Sequence, residues 1–185
     1  PIFIAIAVIV ILSIINFRGI EESAKLNTIF TIIEAGGLIF IIIIGLSFIG
    51  SVDLLSVPSG ATPFSMDFFA PILGAAALIF FAYLGFEDIA NIAEETKNPK
   101  KTVPLALLIS LIVTTIIYVL VAVVAISVVP AAELAASSAG HSISEGPLAL
   151  VASTALANPI GGLLFTFIAL FATANTILIL LIVSS

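Results

Sequence analysis

Long stretches of this chain carry no charge at all, among them 35–52, 102–132 and 146–185. Each is dominated by Ile, Leu, Val, Phe and Ala. A helix crossing the hydrocarbon core of a bilayer needs about 20 consecutive apolar residues. Hydrophobic residues make up 62% of the 185 residues and charged residues 9%, and the mean hydropathy is +1.40. A soluble domain of this length lacks the interior to hide that much apolar surface. The chain is expected to be an all-α transmembrane protein. Its many β-branched residues do not oppose helix, because lipid forbids open strands.

The pattern predicts five spans, at about 1–17, 28–49, 68–93, 103–129 and 160–183. A shorter apolar stretch, about 146–157, reads as an interfacial helix on the extracellular side, closed by Asn158-Pro159. Residues 16–27 read as a polar loop in which Ser23 or Asn27 caps the next helix. Residues 50–67 and 130–145 read as loops. Pro99 is expected to end the third span, and Pro104 to sit in the first turn of the fourth. The chain starts with Pro1 amid apolar sequence and stops straight after an apolar run. It is therefore expected to be an internal part of a longer polypeptide.

The five basic residues split without exception. Arg18 and Lys25 fall in the first loop, and Lys97, Lys100 and Lys101 in the third. The second and fourth loops hold none. Successive loops alternate sides, so the positive-inside rule places all five in the cytoplasm, with Pro1 outside and Ser185 inside.

Polar groups within spans then stand out. Glu34 sits in the second span, followed by Gly36-Gly37. A carboxylate at membrane depth is costly unless paired or watered, and such acids mark ion paths by default. It is either reached by cytoplasmic water or acts in coupling. The third span is broken at Tyr83-Leu84-Gly85 and then carries Glu87 and Asp88. A discontinuous helix exposes free carbonyls and N–H groups that transporters use for substrates and ions. Thr173, Asn175 and Thr176 form a weaker polar patch in the last span. Hydroxyls there often bond back to their own helix, whereas Asn is harder to satisfy that way.

Several function classes drop out. There is no cysteine and a single histidine, His141, so neither a disulfide framework nor a His/Cys metal site is expected. No basic patch suits nucleic acid. No HExxH, GxSxG or Walker sequence appears, so no enzyme and no cofactor is expected.

The run FFAYLGFEDIANIAEETKNPKKTVP, from Phe80 to Pro104, closely resembles the sixth helix and following loop of permeases of the amino acid–polyamine–organocation superfamily. NFRGIEESAKLN resembles the loop before the fifth helix of that family. EGPLALVA resembles the extracellular helix before the eighth, and ATANT suits the eighth itself. The resemblance covers the whole chain, as about helices four to eight, and is nearest to the cationic-amino-acid-transporter and bacterial permease branch.

The resemblance implies a leucine-transporter-like inverted-repeat bundle, present in part, with a discontinuous central helix. It implies a cell-membrane secondary transporter that moves amino acids by alternating access, with proton coupling or exchange. An amino-acid sensor or assembly subunit of the same fold is the alternative. Phe81, Ala82, Tyr83, Leu84 and Gly85 would bind substrate, their backbone accepting its ammonium group. Glu34, Glu87, Asp88, Thr173 and Thr176 would act in coupling or gating, the two threonines near the place where sodium-coupled relatives hold their ion. The implied partners are an amino acid, protons, the lipid bilayer and the parent polypeptide's other helices. Two departures stand out. The family's first helix, which supplies half of the site, is absent from the chain. Glu34 stands near the position at which some proton-coupled members carry a lysine.

Overall fold

A computed structural model of the chain describes residues 2–52, 65–82, 96, 98–138 and 146–184. The described elements are helical: α1 (Ile2–Arg18), α2 (Ile20–Gly45) ending in a 3-10 turn (Leu46–Phe48), α3 (Met66–Ala82), α4 (Pro99–Val128), α5 (Ala131–Ser138), α6 (Pro147–Leu156) and α7 (Pro159–Ser184). Three of these stretches, Glu22–Phe48, Pro99–Val128 and Pro159–Ser184, are long and apolar enough to cross a membrane. The chain divides into two compact units, Pro1–Val52 with Thr115–Ser185, and Asp53–Thr114.

In the first unit α7 is the central element, packed on α2, α1 and α6. The core lies where α2, the end of α4, α6 and α7 meet, around Ile41, Val124, Val151 and Phe165. Outside this core the helices are apolar all round. Leu163, Phe167 and Leu170 of α7 stay exposed, as expected of helices whose solvent is lipid. In the second unit, α3 carries Leu73, Leu78 and Phe80 on exposed positions.

Three connections depart from the sequence-based expectation. The stretch expected to be a loop at 16–27 is helical from Ile20 onward. Gly19 alone turns α1 into α2, with φ 145 and ψ 157, a conformation only glycine adopts without strain. Ser23 and Asn27 therefore lie inside α2 and do not cap it; no side chain caps this helix. Pro99 opens α4, so Pro104, expected in the first turn, lies inside the helix one turn further on; the expected end of the third span before Pro99 lies outside the described residues. At the first position the missing N–H of Pro99 is no loss, and the Asn98 carbonyl accepts from Lys101 and Thr102 N–H. Part of the expected loop 130–145 is the short helix α5, started by the Pro130 carbonyl accepting from Glu133 and Leu134 N–H.

The α6–α7 corner is defined in detail. Ala157 takes the left-handed conformation (φ 48). Its N–H bonds to Thr154 O and that of Asn158 to Ser153 O, both at 3.1 Å, which is the paired closure of a Schellman end. Asn158 Oδ1 then accepts from Ile160 N–H at 2.9 Å, so Asn158 caps α7 and Pro159 occupies its first position. The expectation that Asn158-Pro159 closes the short helix thus has a hydrogen-bond basis. The two helices then touch backbone to backbone: a Cβ on Gly161 would lie 2.6 Å from the Ala152 carbonyl oxygen.

Candidate functional site

Asn27, Thr31 and Glu34 of α2 are spaced i, i+4, i+7, which puts them on one helix face. That face meets α7. Asn175 of α7 is only 5% exposed. Its Nδ2 donates to Thr31 Oγ1 at 3.2 Å and reaches Glu34 Oε2 at 3.5 Å, long for a hydrogen bond. Thr31 passes its own proton to the Asn27 carbonyl at 2.9 Å. Asn175 Oδ1 and Asn27 Oδ1 are buried with no partner. Oxygen acceptors thus crowd the seam between α2 and α7.

Apolar packing closes the seam on either side. Phe30 and Phe171 stack at a centroid distance of 5.5 Å and a tilt of 52°. One turn beyond Glu34, Gly37 lets Ile168 approach so closely that a Cβ there would lie 2.8 Å from its Cγ2. Gly36, its neighbour, faces open space. Glu34 lies near the middle of the helical stretch Glu22–Phe48, which is long and apolar enough to cross a membrane, about 18 Å from its start at 1.5 Å per residue.

A second polar node ties the ends of three helices together. Asn16 of α1 donates from Nδ2 to the Leu181 carbonyl of α7 at 3.2 Å. Ser23 of α2, fully buried, donates to Asn16 Oδ1 at 3.3 Å and to Gly19 O at 3.2 Å. Asn16 thus satisfies one of the carbonyls left over at the C-terminal end of α7.

Of the candidate site residues, the structure brings Glu34 together with Asn175, which the sequence placed in the polar patch of the last span but not among the coupling residues implied by the resemblance. Thr173 and Thr176 are exposed and donate to their own helix, at Ala169 O and Ala172 O; neither faces Glu34. Phe81 and Ala82 end α3 in the other unit, and their side chains lie outside the described residues. So do Tyr83, Leu84, Gly85, Glu87 and Asp88. Among the described residues no group of His, Cys, Asp or Glu is arranged to hold a metal.

The sequence pattern of the amino acid permease family matches residues 2–185. The chain is 32% identical over 160 residues to a branched-chain amino acid permease of Bacillus subtilis, which covers 86% of this chain and 31% of that protein. It is 31% identical to a methylthioribose transporter of the same organism, over 70% of this chain and 27% of that protein. It is 35% identical to the vacuolar cationic amino acid transporter 4 of Arabidopsis thaliana, over 68% of this chain and 21% of that protein. The chain thus spans less than a third of the length of each of these relatives. No solved structure matches it. The three relatives are named as transporters or permeases, and three of the described helices are long and apolar enough to cross a membrane. The chain belongs to the amino acid permease family of the amino acid–polyamine–organocation superfamily, a family of multi-pass membrane proteins.

Proposed function

We propose that this chain is the middle part of a secondary transporter that moves amino acids across the cell membrane by alternating access, with proton coupling or exchange. The observation that carries the reading is the family match along residues 2–185. The half-buried carboxyl of Glu34 beside Asn175, mid-helix in an apolar stretch, supports a coupling role for that acid. The fold of the whole would be a leucine-transporter-like inverted repeat. Its third span would run over 68–93, broken at the backbone of Phe81, Ala82, Tyr83, Leu84 and Gly85 to receive substrate. Glu87 and Asp88 would lie on the cytoplasmic side of that break. Arg18, Lys25, Lys97, Lys100 and Lys101 would face the cytoplasm, and 146–157 would lie at the outer interface. Thr173 and Thr176, on the exposed face of α7, would meet parts of the bundle supplied by the rest of the polypeptide.

Neutral and cationic amino acids fit best, because Glu34 stands well inside its span whereas Lys25, Lys100 and Lys101 stand at span ends. The likeness to a methylthioribose transporter favours one second reading, a neutral sugar-bearing solute handled by the same bundle. Uptake by the complete permease in proteoliposomes separates the two. Accumulation of a labelled amino acid supports the first. Failure with all common amino acids, with and without a pH gradient, refutes it. Glu34→Gln is expected to flatten the pH dependence of uptake; an unchanged dependence removes the proton role and leaves exchange.

A further inference from the structure

We propose that the α2–α7 seam carries water from the α1–α2 corner as far as Glu34 and no further, with Asn27 as the positioning residue at its middle. The inference rests on the coupling role proposed for Glu34 and names the side from which its proton comes. Ser23, Asn27, Thr31 and Glu34 follow one another on α2 at intervals of four, four and three residues, so they share one helix face. At 1.5 Å per residue the steps are about 6, 6 and 4.5 Å. One water with hydrogen bonds of ~2.8 Å on either side spans about 5.6 Å, so one molecule bridges each step.

Two atoms along this stripe call for water. Asn27 Oδ1 and Asn175 Oδ1 are buried with no partner. Unpaired buried acceptors are costly and are the groups that hold internal water. Each water brings two hydrogens, so both oxygens are satisfied while the Asn175 amide keeps its bond to Thr31 and its direction toward Glu34. Thr31 is exposed and Glu34 half-buried, so the carboxyl is not sealed between the two helices. The stripe is also one-sided. Beyond Glu34 the same face of α2 carries Gly37, Leu38, Ile41 and Gly45. Ile168 lies against Gly37 and Val124 against Gly45, and the core around Ile41, Val124, Val151 and Phe165 is apolar. Such interiors stay dry. At the other end, Ser23 meets Asn16 at the corner and Lys25 is exposed, on the side that the charge split assigns to the cytoplasm. A hydronium ion at the corner gives up one proton, the waters pass it along, and the Glu34 carboxylate becomes a carboxylic acid. Release retraces the route.

No other charge faces Glu34 from the elements packed on α2. α6 and α7 contain no charged residue, α1 contains only Arg18 at its C-terminal end, and the part of α4 in this unit contains none. On α2 itself the other charges are Glu21, Glu22 and Lys25, more than two turns away.

The test uses the complete permease, reconstituted in lipid. Hydroxyl radicals made from water by brief X-ray exposure mark aliphatic side chains that lie beside water, and mass spectrometry reads the marks. Leu178 and Ile41 are both 0% exposed. Leu178 lies one turn from Asn175 toward Leu181, level with Asn27 by the register of the Thr31–Asn175 and Asn16–Leu181 contacts, whereas Ile41 lies in the apolar core. The expected result is a mark on Leu178 and none on Ile41 in the parent, lost from Leu178 in Asn27→Leu and kept in Asn27→Gln. Leu178 as unmarked as Ile41 overturns the water path in the parent alone, whether or not the variants fold. A mark on Ile41 as well overturns its one-sidedness. Asn27→Leu should also slow uptake of labelled leucine and arginine driven by a pH gradient by about tenfold or more, the loss of one hydrogen-bonded step. Exchange of labelled for unlabelled substrate, which needs no proton release, should be unchanged, and Asn27→Gln should behave as the parent. Equal loss of uptake and exchange in Asn27→Leu marks a packing role and overturns the inference. Gradient-driven uptake that persists in Asn27→Leu but is lost in Glu34→Gln overturns the path and leaves the coupling reading standing. Gradient-driven uptake that persists in Glu34→Gln refutes the coupling reading and the proton path with it.

Discussion

Three glycines with different surroundings provide a graded test of the α2–α6–α7 packing. Alanine is the better helix former by ~0.8–1.0 kcal/mol in a helix interior. Packing decides whether that gain is realised. At Gly36 an added Cβ meets nothing within 4 Å, so Gly36→Ala should be neutral or stabilising by up to about 1 kcal/mol. At Gly37 the Cβ would fall 2.8 and 2.9 Å from the Cγ2 and Cδ1 of Ile168. These are side-chain ends that can rotate, so the clash and the propensity gain should nearly cancel. At Gly161 the nearest atoms are backbone, the Ala152 carbonyl oxygen at 2.6 Å and its carbon at 2.9 Å. Ordinary contact begins near 3.4 Å, so α6 and α7 must part by about 3.4 − 2.6 = 0.8 Å. Overpacking of this kind costs about 1–3 kcal/mol. Gly161 also lies in the first turn of α7, where the propensity gain is small. The expected order of thermal stability of the detergent-solubilised permease is Gly36→Ala at or above parent, Gly37→Ala close to parent, and Gly161→Ala clearly below. Gly161→Ala matching Gly36→Ala would refute the backbone contact between α6 and α7.

Other expectations follow from the same contacts. Asn158→Ala removes the cap of α7 and should lower stability by about 1 kcal/mol, whereas Ala157→Gly relieves a left-handed alanine and should raise it by up to about 1 kcal/mol; both are read in the same melting assay. Asn16→Ala removes one of two partners from the Leu181 carbonyl, which keeps the Ser184 hydroxyl, and from the Ser23 hydroxyl, which keeps the Gly19 carbonyl, so it should cost about 1 kcal/mol or less, while Asn16→Asp, which cannot donate to Leu181, should be no better. The chain has no cysteine, so single substitutions report topology without background from it: Lys25→Cys and Lys100→Cys should react with an impermeant thiol reagent only from the cytoplasmic side, and Glu133→Cys only from outside. Reaction of Glu133→Cys from the same side as Lys25→Cys would overturn the proposed orientation.

How much of this was legible in the sequence depended on the kind of signal each residue carries. Charge-free runs of Ile, Leu and Val identify membrane helices because lipid leaves the backbone no alternative. The Asn158-Pro159 stop was legible because cap chemistry is local. The start of α2 was not. Polar residues such as Glu22, Lys25 and Asn27 resemble a loop when apolar character alone is read, yet Glu and Lys are good helix formers. The feature that breaks the chain is Gly19, whose φ of 145 appears only in the structure. Misplacing that start also put Glu34 about two turns into its helix, whereas it lies near the middle of the stretch Glu22–Phe48.

The polar patch in α7 shows a deeper limit. In a helix apolar on every side, hydrophobic periodicity carries no information about which face is buried, so Thr173, Asn175 and Thr176 look equivalent in register. Their chemistry separates them. A threonine hydroxyl can spend its one proton on the carbonyl a turn back, as Thr173 and Thr176 do, and so needs no partner helix. The asparagine amide carries two N–H bonds and an acceptor oxygen, and no single position along its own helix satisfies all of them. Such a side chain, set in an apolar span, must face another polar group or remain unpaired. On the α2 face that meets α7, the polar group available to it is the i, i+4, i+7 stripe that ends at Glu34. The pairing of Glu34 with Asn175 could therefore have been reached from residue chemistry, by asking which polar side chain cannot satisfy itself. The choice of the threonines over Asn175 came from family likeness, which carried a role to matching positions without asking which of them needs a partner.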